Sequence, residues 1–236
     1  MYQSTTNPDK KFGSKFVQRR YDAEHTSDSA KQKIYCIRHG QTALDDLHRS
    51  DGWLDLPLND EGRKNVVIVL AKHLKELPIT TVFTADLLRT KETANILKSG
   101  ITSDPSVKVV NDIKTWDLGS MAGDPKKPNK KVVKDLIANP HKSAPDGESY
   151  AQFTDRLDSW IEKKEKSSKK DGPFLLVLSG SACRRISELL FGDRTVLDMD
   201  EAGVFEMYPK TNGDWTAKVI CGQRDENDQK KNPEAS

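Results

Sequence analysis

Lys33-Ile34-Tyr35-Cys36-Ile37-Arg38-His39-Gly40-Gln41-Thr42 decides the reading of this chain. Ile34 to Ile37 form a short, apolar, β-branched run, the pattern of a strand buried on both faces. The run ends in Arg38-His39-Gly40, where three useful chemistries meet. A guanidinium presents a planar fork of donors suited to phosphate. An imidazole nitrogen is nucleophilic near neutral pH. A glycine lets the backbone turn tightly and a ligand come close. Open α/β sheets bind their ligands at the carboxyl ends of strands, which is where this triplet falls.

A second strand of the same kind is Pro173-Phe174-Leu175-Leu176-Val177-Leu178-Ser179, which runs through Gly180-Ser181 into a helix from Ala182 to Phe191. Between the two strands, helical spacing alternates with short strand patterns. Asn59 or Asp60 caps a helix carrying Val66, Val67, Leu70, Leu74 and Leu77. Thr80 to Thr84 and Val107 to Val110 read as strands, and Leu87 to Leu97 as a helix. Thr42 to Leu58 and Ile113 to Asn129 read as loops, and Lys130 to Ala138 as a short basic helix. Ser149 to Lys166 is a patterned helix through Phe153, Leu157, Trp160 and Ile161. Gly203 to Tyr208 and Thr216 to Cys221 form a closing pair turned at Asn212-Gly213. Strands alternating with helices predict a three-layer α/β/α sandwich around a mixed, mostly parallel sheet.

The ends are different in character. Residues 1–32 are polar, without periodicity, and interleave Phe12, Phe16 and Tyr21 with basic residues. They read as a flexible or docking arm, and as the segment through which a protein partner would bind. Residues 33–221 form the domain, and residues 222–236 a polar tail. The chain has 236 residues, 31% of them charged, and a net charge of +2. That balance does not mark a nucleic-acid binder. There is no apolar leader and no run of 18 apolar residues, so we expect a soluble cytoplasmic protein without a membrane partner. Three cysteines, Cys36, Cys183 and Cys221, show neither a disulfide framework nor metal-ligand spacing.

Five blocks in order resemble the histidine phosphatase superfamily, the phosphoglycerate mutase-like proteins. They are Arg38-His39-Gly40-Gln41-Thr42; Gly52-Trp53-Leu54-Asp55-Leu56-Pro57-Leu58-Asn59 with Gly62; Phe83 to Thr90 with Thr93-Ala94; Trp116-Asp117-Leu118-Gly119 with Gly123; and Pro145-Asp146-Gly147-Glu148-Ser149. The resemblance implies a phosphoglycerate mutase-like fold, with His39 transiently phosphorylated and Arg38 and Arg89 clamping the phosphoryl oxygens. It implies substrate contacts from Thr42, Glu148 and Ser149, no metal and no cofactor, and phosphate or a phosphorylated small molecule as ligand. A phosphate monoester carries up to two negative charges, which two guanidiniums can hold in line for attack.

The chain departs from the family at three points. Asp45 stands where many members carry asparagine. The family's Ser-His-Gly-Gly after the second strand is Ser179-Gly180-Ser181-Ala182 here, so the second histidine is Gly180. The usual glutamate aligns with Thr115, with Asp117 the nearest carboxylate in sequence. Gly180 and Ser181 at a helix start would still offer N–H groups and a hydroxyl to phosphate. Two expectations follow: a phosphomonoesterase working through His39, with weak turnover, or a catalytically degraded phosphate-binding or interaction protein that keeps the fold. A mutase, which must rephosphorylate the same histidine, is a third and weaker reading.

Overall fold

The computed structural model describes residues 33–223 apart from 211 and 213. The docking arm expected at residues 1–32 lies outside the described residues. Six strands form one sheet: β1 (Ile34–Arg38), β2 (Thr81–Thr84), β3 (Ser106–Val109), β4 (Phe174–Leu178), β5 (Met199–Pro209) and β6 (Trp215–Gln223). Their order is β3-β2-β4-β1-β5-β6. The first four pair in parallel, and β5 and β6 add an antiparallel ribbon against β1. The principal helices are α1 (Ala43–Asp46), α2 (Asp60–Val69), α3 (Leu88–Gly100), α4 (Lys126–Ala138), α5 (Tyr150–Asp171) and α6 (Gly180–Phe191).

The strand periodicity of two splits the core into two clusters, one per sheet face. Ile34, Cys36, Leu176 and Phe205 meet Phe153, Leu157 and Trp160 of α5 and Ile186 of α6. Tyr35, Ile37, Val177 and Val204 meet Val66 of α2 and Ala94 and Leu97 of α3. This is the sandwich the sequence predicts. Leu70–Leu74, which prolongs α2 as a wider π-helical turn, adds buried Leu70 and Leu74 to the second cluster.

Several boundaries differ from the sequence reading. Helix α4 starts at Lys126, four residues early, because Pro128 falls in the first turn, where a missing N–H costs no helical bond. The loop after His39 contains α1, a single turn closed by a capping box between Thr42 and Asp45. Helix α5 continues through the polar Ser167–Lys170 stretch to Asp171. Strand β5 begins at Met199, where the polar pair Asp200-Glu201 breaks the apolar alternation. Strand β6 ends at Gln223, taking in two residues assigned to the tail. No described helix is long and apolar enough to cross a membrane.

Two glycines fix the turn after β1. A Cβ on Gly40 would come within 2.7 Å of the Gly62 carbonyl oxygen, and a Cβ on Gly62 within 2.2 Å of the Gln41 carbonyl oxygen. The first turn of α2 therefore lies directly against the backbone of the Arg38-His39-Gly40 turn. Asn59 secures the contact: its Oδ1 accepts from Gly62 N at 2.7 Å, and its Nδ2 donates to Gln41 Oε1 at 2.9 Å.

Candidate active site

The parallel pairing of β1 with β4 sets Arg38 opposite Leu178, and His39 N donates to the Leu178 carbonyl at 2.9 Å. The triplet and the Ser179-Gly180-Ser181 turn thus emerge side by side at the same end of the sheet. From β2 the chain passes through Ala85-Asp86-Leu87 into α3, whose second residue is Arg89. Thr93 of α3 accepts the Gly40 N–H at 3.2 Å, tying this helix to the same turn.

His39 is 2% exposed. Its Nδ1 lies 2.8 Å from the Gly40 carbonyl oxygen, which fixes Nδ1 as the donor and leaves the lone pair on Nε2. Among the described residues Nε2 has no hydrogen-bond partner. Burial, then the positive charge of Arg89 and more weakly that of Arg38, push the imidazole pKa down to about 3, against partial opposition from Asp45. The ring is neutral at physiological pH.

Both arginines are nearly sealed, Arg38 at 4% and Arg89 at 1% exposure. Arg38 donates from Nη1 to the Met199 carbonyl at 2.8 Å. Its Nη2 meets Asp45 Oδ1 at 3.1 Å and Glu201 Oε1 at 2.5 Å. Arg89 donates to the Leu54 and Gly52 carbonyls at 2.8 and 2.7 Å, so the loop before α2 wraps its guanidinium. In each arginine one buried nitrogen, Nε, has no hydrogen-bond partner. Buried donors are almost always satisfied, so two orphans at one site point to an anion.

Carboxylates are as prominent as guanidiniums. Arg38, with help from His39 and Lys126, outweighs the burial penalty on Asp45 and holds its carboxyl well below the usual range. Lys126 Nζ reaches Asp45 at 3.2 Å. Asp51 is pushed up by burial and by Asp45 beside it. Asp51 Oδ2 lies 3.8 Å from Arg89 Nε, an ion-pair distance too long for a hydrogen bond. One ligand atom each from His39, Asp45 and Asp51 lie within 4.8 Å of one another, a donor cluster that sequence spacing did not reveal. A cation placed there would meet Arg38, Arg89 and Lys126, so the charge balance around the cluster disfavours one.

The other expected site residues divide. Thr42 is at the site and fully buried, but its hydroxyl is spent. It accepts from Asp45 N at 3.1 Å as the α1 cap and donates to Asp51 Oδ1 at 2.9 Å. Glu148 forms a two-point ion pair with Arg156, at 2.6 and 3.1 Å, and accepts Asp117 N at 2.9 Å. Ser149 is the α5 N-cap, in a capping box with Gln152. These two are held in structural bonds. Gly180 opens α6, and a Cβ built on it would sit 3.5 Å from Arg38 Nε and Cζ. Ser181 Oγ lies 2.9 Å from Thr115 Oγ1 and 3.0 Å from Ser179 Oγ. Asp117 turns away and caps Gly119 N at 2.9 Å.

Sequence reasoning missed Asp51, Glu201 and Lys126, which meet Arg89, Arg38 and Asp45. Glu201 carries no motif signal; its placement depends on β5 pairing with β1.

Residues 34–209 match the histidine phosphatase superfamily (branch 1). The probable phosphoglycerate mutase GpmB of Escherichia coli is 27% identical over 166 residues, covering 68% of this chain and 75% of that protein. Phosphoglycerate mutase-like protein 4 of Arabidopsis thaliana is 34% identical over 104 residues, 44% of either chain. Among solved structures, a phosphoglycerate mutase from Bacillus anthracis superposes with a TM-score of 0.68 at 23% identity, covering 82% of this chain and 94% of that one. TTHB049 from Thermus thermophilus superposes at 0.62 with 22% identity, covering 81% and 99%. At such identities the structural likeness speaks for the fold alone.

Proposed function

Because this chain belongs to the histidine phosphatase superfamily (branch 1), we propose that it is a phosphomonoesterase of low turnover that forms a phosphohistidine on His39. The observation that carries this reading is the state of His39. It is neutral, with Nδ1 held by Gly40 and Nε2 without a hydrogen-bond partner among the described residues, beside two guanidiniums whose Nε donors make no hydrogen bond. The lone pair on Nε2 attacks phosphorus, and the bond from phosphorus to the ester oxygen breaks. The alkoxide leaves with a proton from solvent water, since neither Thr115 nor Gly180 can supply one as a carboxylic acid or imidazolium would. A second water then attacks phosphorus, the phosphorus–nitrogen bond breaks, and phosphate departs. Arg38 and Arg89 take up the charge on the phosphoryl oxygens, the largest contribution such a site makes.

Two missing groups limit the rate. One absent transition-state donor costs about 10²–10³, and an absent general acid about 10²–10⁴.

A second reading is a phosphate-binding protein without turnover. It is favoured by Thr115 and Gly180, which offer neither a carboxylic acid nor an imidazole to the reaction. Turnover of an aryl phosphate by the purified protein, beside His39→Ala, separates the two. Enzyme-catalysed release that disappears in the variant supports the esterase. Equal rates in both proteins, with phosphate still bound, support the binding protein.

A further inference from the structure

Arg184 lies one helical turn after Gly180 on α6, and no part of the reading above uses it. A Cβ built on Gly180 would stand 3.5 Å from Arg184 Nη1 and 3.5 Å from Arg38 Nε. Two guanidiniums, one from β1 and one from α6, therefore face each other across a residue that has no side chain, no more than about 7 Å apart. Arg184 is held in this pose by Asp198, whose Oδ1 accepts from Nη1 at 2.9 Å. Its side chain is 36% exposed, so solvent and ions can reach it.

Like charges brought together are costly unless something negative lies between them. Asp198 offsets one, and Asp45 and Glu201 offset the other, yet all three acids bind through the Nη atoms. The Arg38 Nε that points at Gly180 is buried and unpaired. Residue 180 also opens a twelve-residue helix, whose first N–H groups and dipole favour an anion. Burial, with a smaller push from the Arg38 charge, lowers the Arg184 pKa from its ordinary value against the opposing pull of Asp198.

We propose that Arg184 is a phosphate ligand, its guanidinium entering through the space left by Gly180 to bind the same anion as Arg38 Nε. The proposal rests on the phosphate site described above and deepens it. It gives a physical reason for glycine at residue 180: a larger side chain would stand between the two arginines and their shared anion. A positive charge needed at this point of the pocket comes from residue 184 instead of residue 180.

The test is the binding of inorganic phosphate and vanadate, by calorimetry and by thermal shift, to wild type, Arg184→Ala, Arg184→Lys and the double variant Arg184→Ala, Gly180→His. One charge-assisted contact predicts binding weaker by about 10- to 100-fold in Arg184→Ala. Arg184→Lys should recover part of it. The double variant should also recover part, because an imidazolium at residue 180 would reach the same oxygen; loss of a purely structural Arg184 would not be repaired that way. Phosphate bound by Arg184→Ala with the wild-type Kd overturns this inference and leaves the esterase reading intact. No binding by wild type overturns both.

Discussion

Thr115 Oγ1 lies 2.9 Å from Ser181 Oγ, so two of the three departures read from the sequence touch each other. The Thr115 hydroxyl stands where the family's acid is aligned, and Ser181 follows the glycine that replaces its histidine. Ser181 extends the link to Ser179 Oγ at 3.0 Å and accepts weakly from Trp116 N at 3.4 Å. A chain of neutral hydroxyls thus spans the ground where an acid and an imidazole would act. The two changes form one local substitution, and restoring either alone leaves the other side of the contact unmatched.

In an Arg184→Ala background, where residue 184 no longer competes for the same space, Gly180→His should raise aryl phosphatase activity at least about tenfold, the worth of one transition-state donor. The backbone at residue 180 is helical and the Cβ meets only ordinary contacts at 3.5 Å, so the variant should fold. Adding Thr115→Glu should raise the rate further, by more than the product of the single effects. Steady-state kinetics with a His39→Ala background as control decides it; a Gly180→His protein that folds, binds phosphate and gains no rate refutes the expectation.

Acid should destabilise the fold through His39. The unfolded chain takes up this proton below about pH 6.5, whereas the folded one holds it off until about 3. Between those values the unfolded state binds more protons, so stability falls as pH falls, by up to about 1.4 kcal/mol per pH unit. Asp51, raised in the folded state, works in the opposite sense above its ordinary value. Urea titrations of wild type and His39→Gln from pH 7 to 4 isolate the histidine: the difference between the two curves should grow steadily on acidification. A constant difference would mean that His39 is not buried in its neutral form.

Glu201→Gln should tighten phosphate binding. Glu201 contacts Arg38 Nη2 at 2.5 Å from a side chain still 18% exposed, so it competes with an anion for the same guanidinium. Removing one negative charge at this range is worth about 1.4 kcal/mol or more, roughly tenfold in Kd. The same change should cost stability, because Arg38 is left with less compensation. Unchanged or weaker phosphate affinity in the variant would show that Glu201 helps to shape the site.

Gly62→Ala should destabilise the protein by about 2 kcal/mol or more. In an ordinary helix this change stabilises by about 1 kcal/mol. Here the new Cβ would meet the Gln41 carbonyl oxygen at 2.2 Å, and backbone cannot yield as a side-chain tip can. Because the displaced turn carries His39, activity should fall with stability. A neutral result in chemical denaturation would contradict the close packing of α2 on the turn.

What the sequence made legible follows from how local each signal is. The apolar runs of β1 and β4 identified themselves because strands buried on both faces need no alternation. Arg38, His39 and Arg89 are readable from short motifs, and both guanidiniums lower the pKa of the His39 imidazole. Thr42 and Ser149 were tied to substrate by resemblance, but in the fold both hydroxyls cap helices. Glu148 was tied to substrate by resemblance, but its carboxylate pairs with Arg156, eight residues along the chain. Asp51, Glu201 and Arg184 were invisible because their roles depend on contacts between distant segments, which no spacing rule encodes. Strand β5 was shortened for a related reason: Ala202 has φ +63 and sits at a bulge, where residue alternation fails.

That bulged start of β5 has a consequence for biosynthesis. Met199 supplies the carbonyl that holds Arg38, 161 residues earlier in the chain, Glu201 supplies a carboxylate, and Ala202 N bonds the His39 carbonyl at 3.2 Å. While a ribosome is still making the segment before residue 199, β1 has no neighbour on that side, and its Arg-His-Gly turn is open. The proposed nucleophile therefore exists in the nascent chain long before its electrostatic surroundings do. On the phosphate-site reading, capture of an anion must await the emergence of residues 199–202, which makes ligand binding a report on β5 and not on β1.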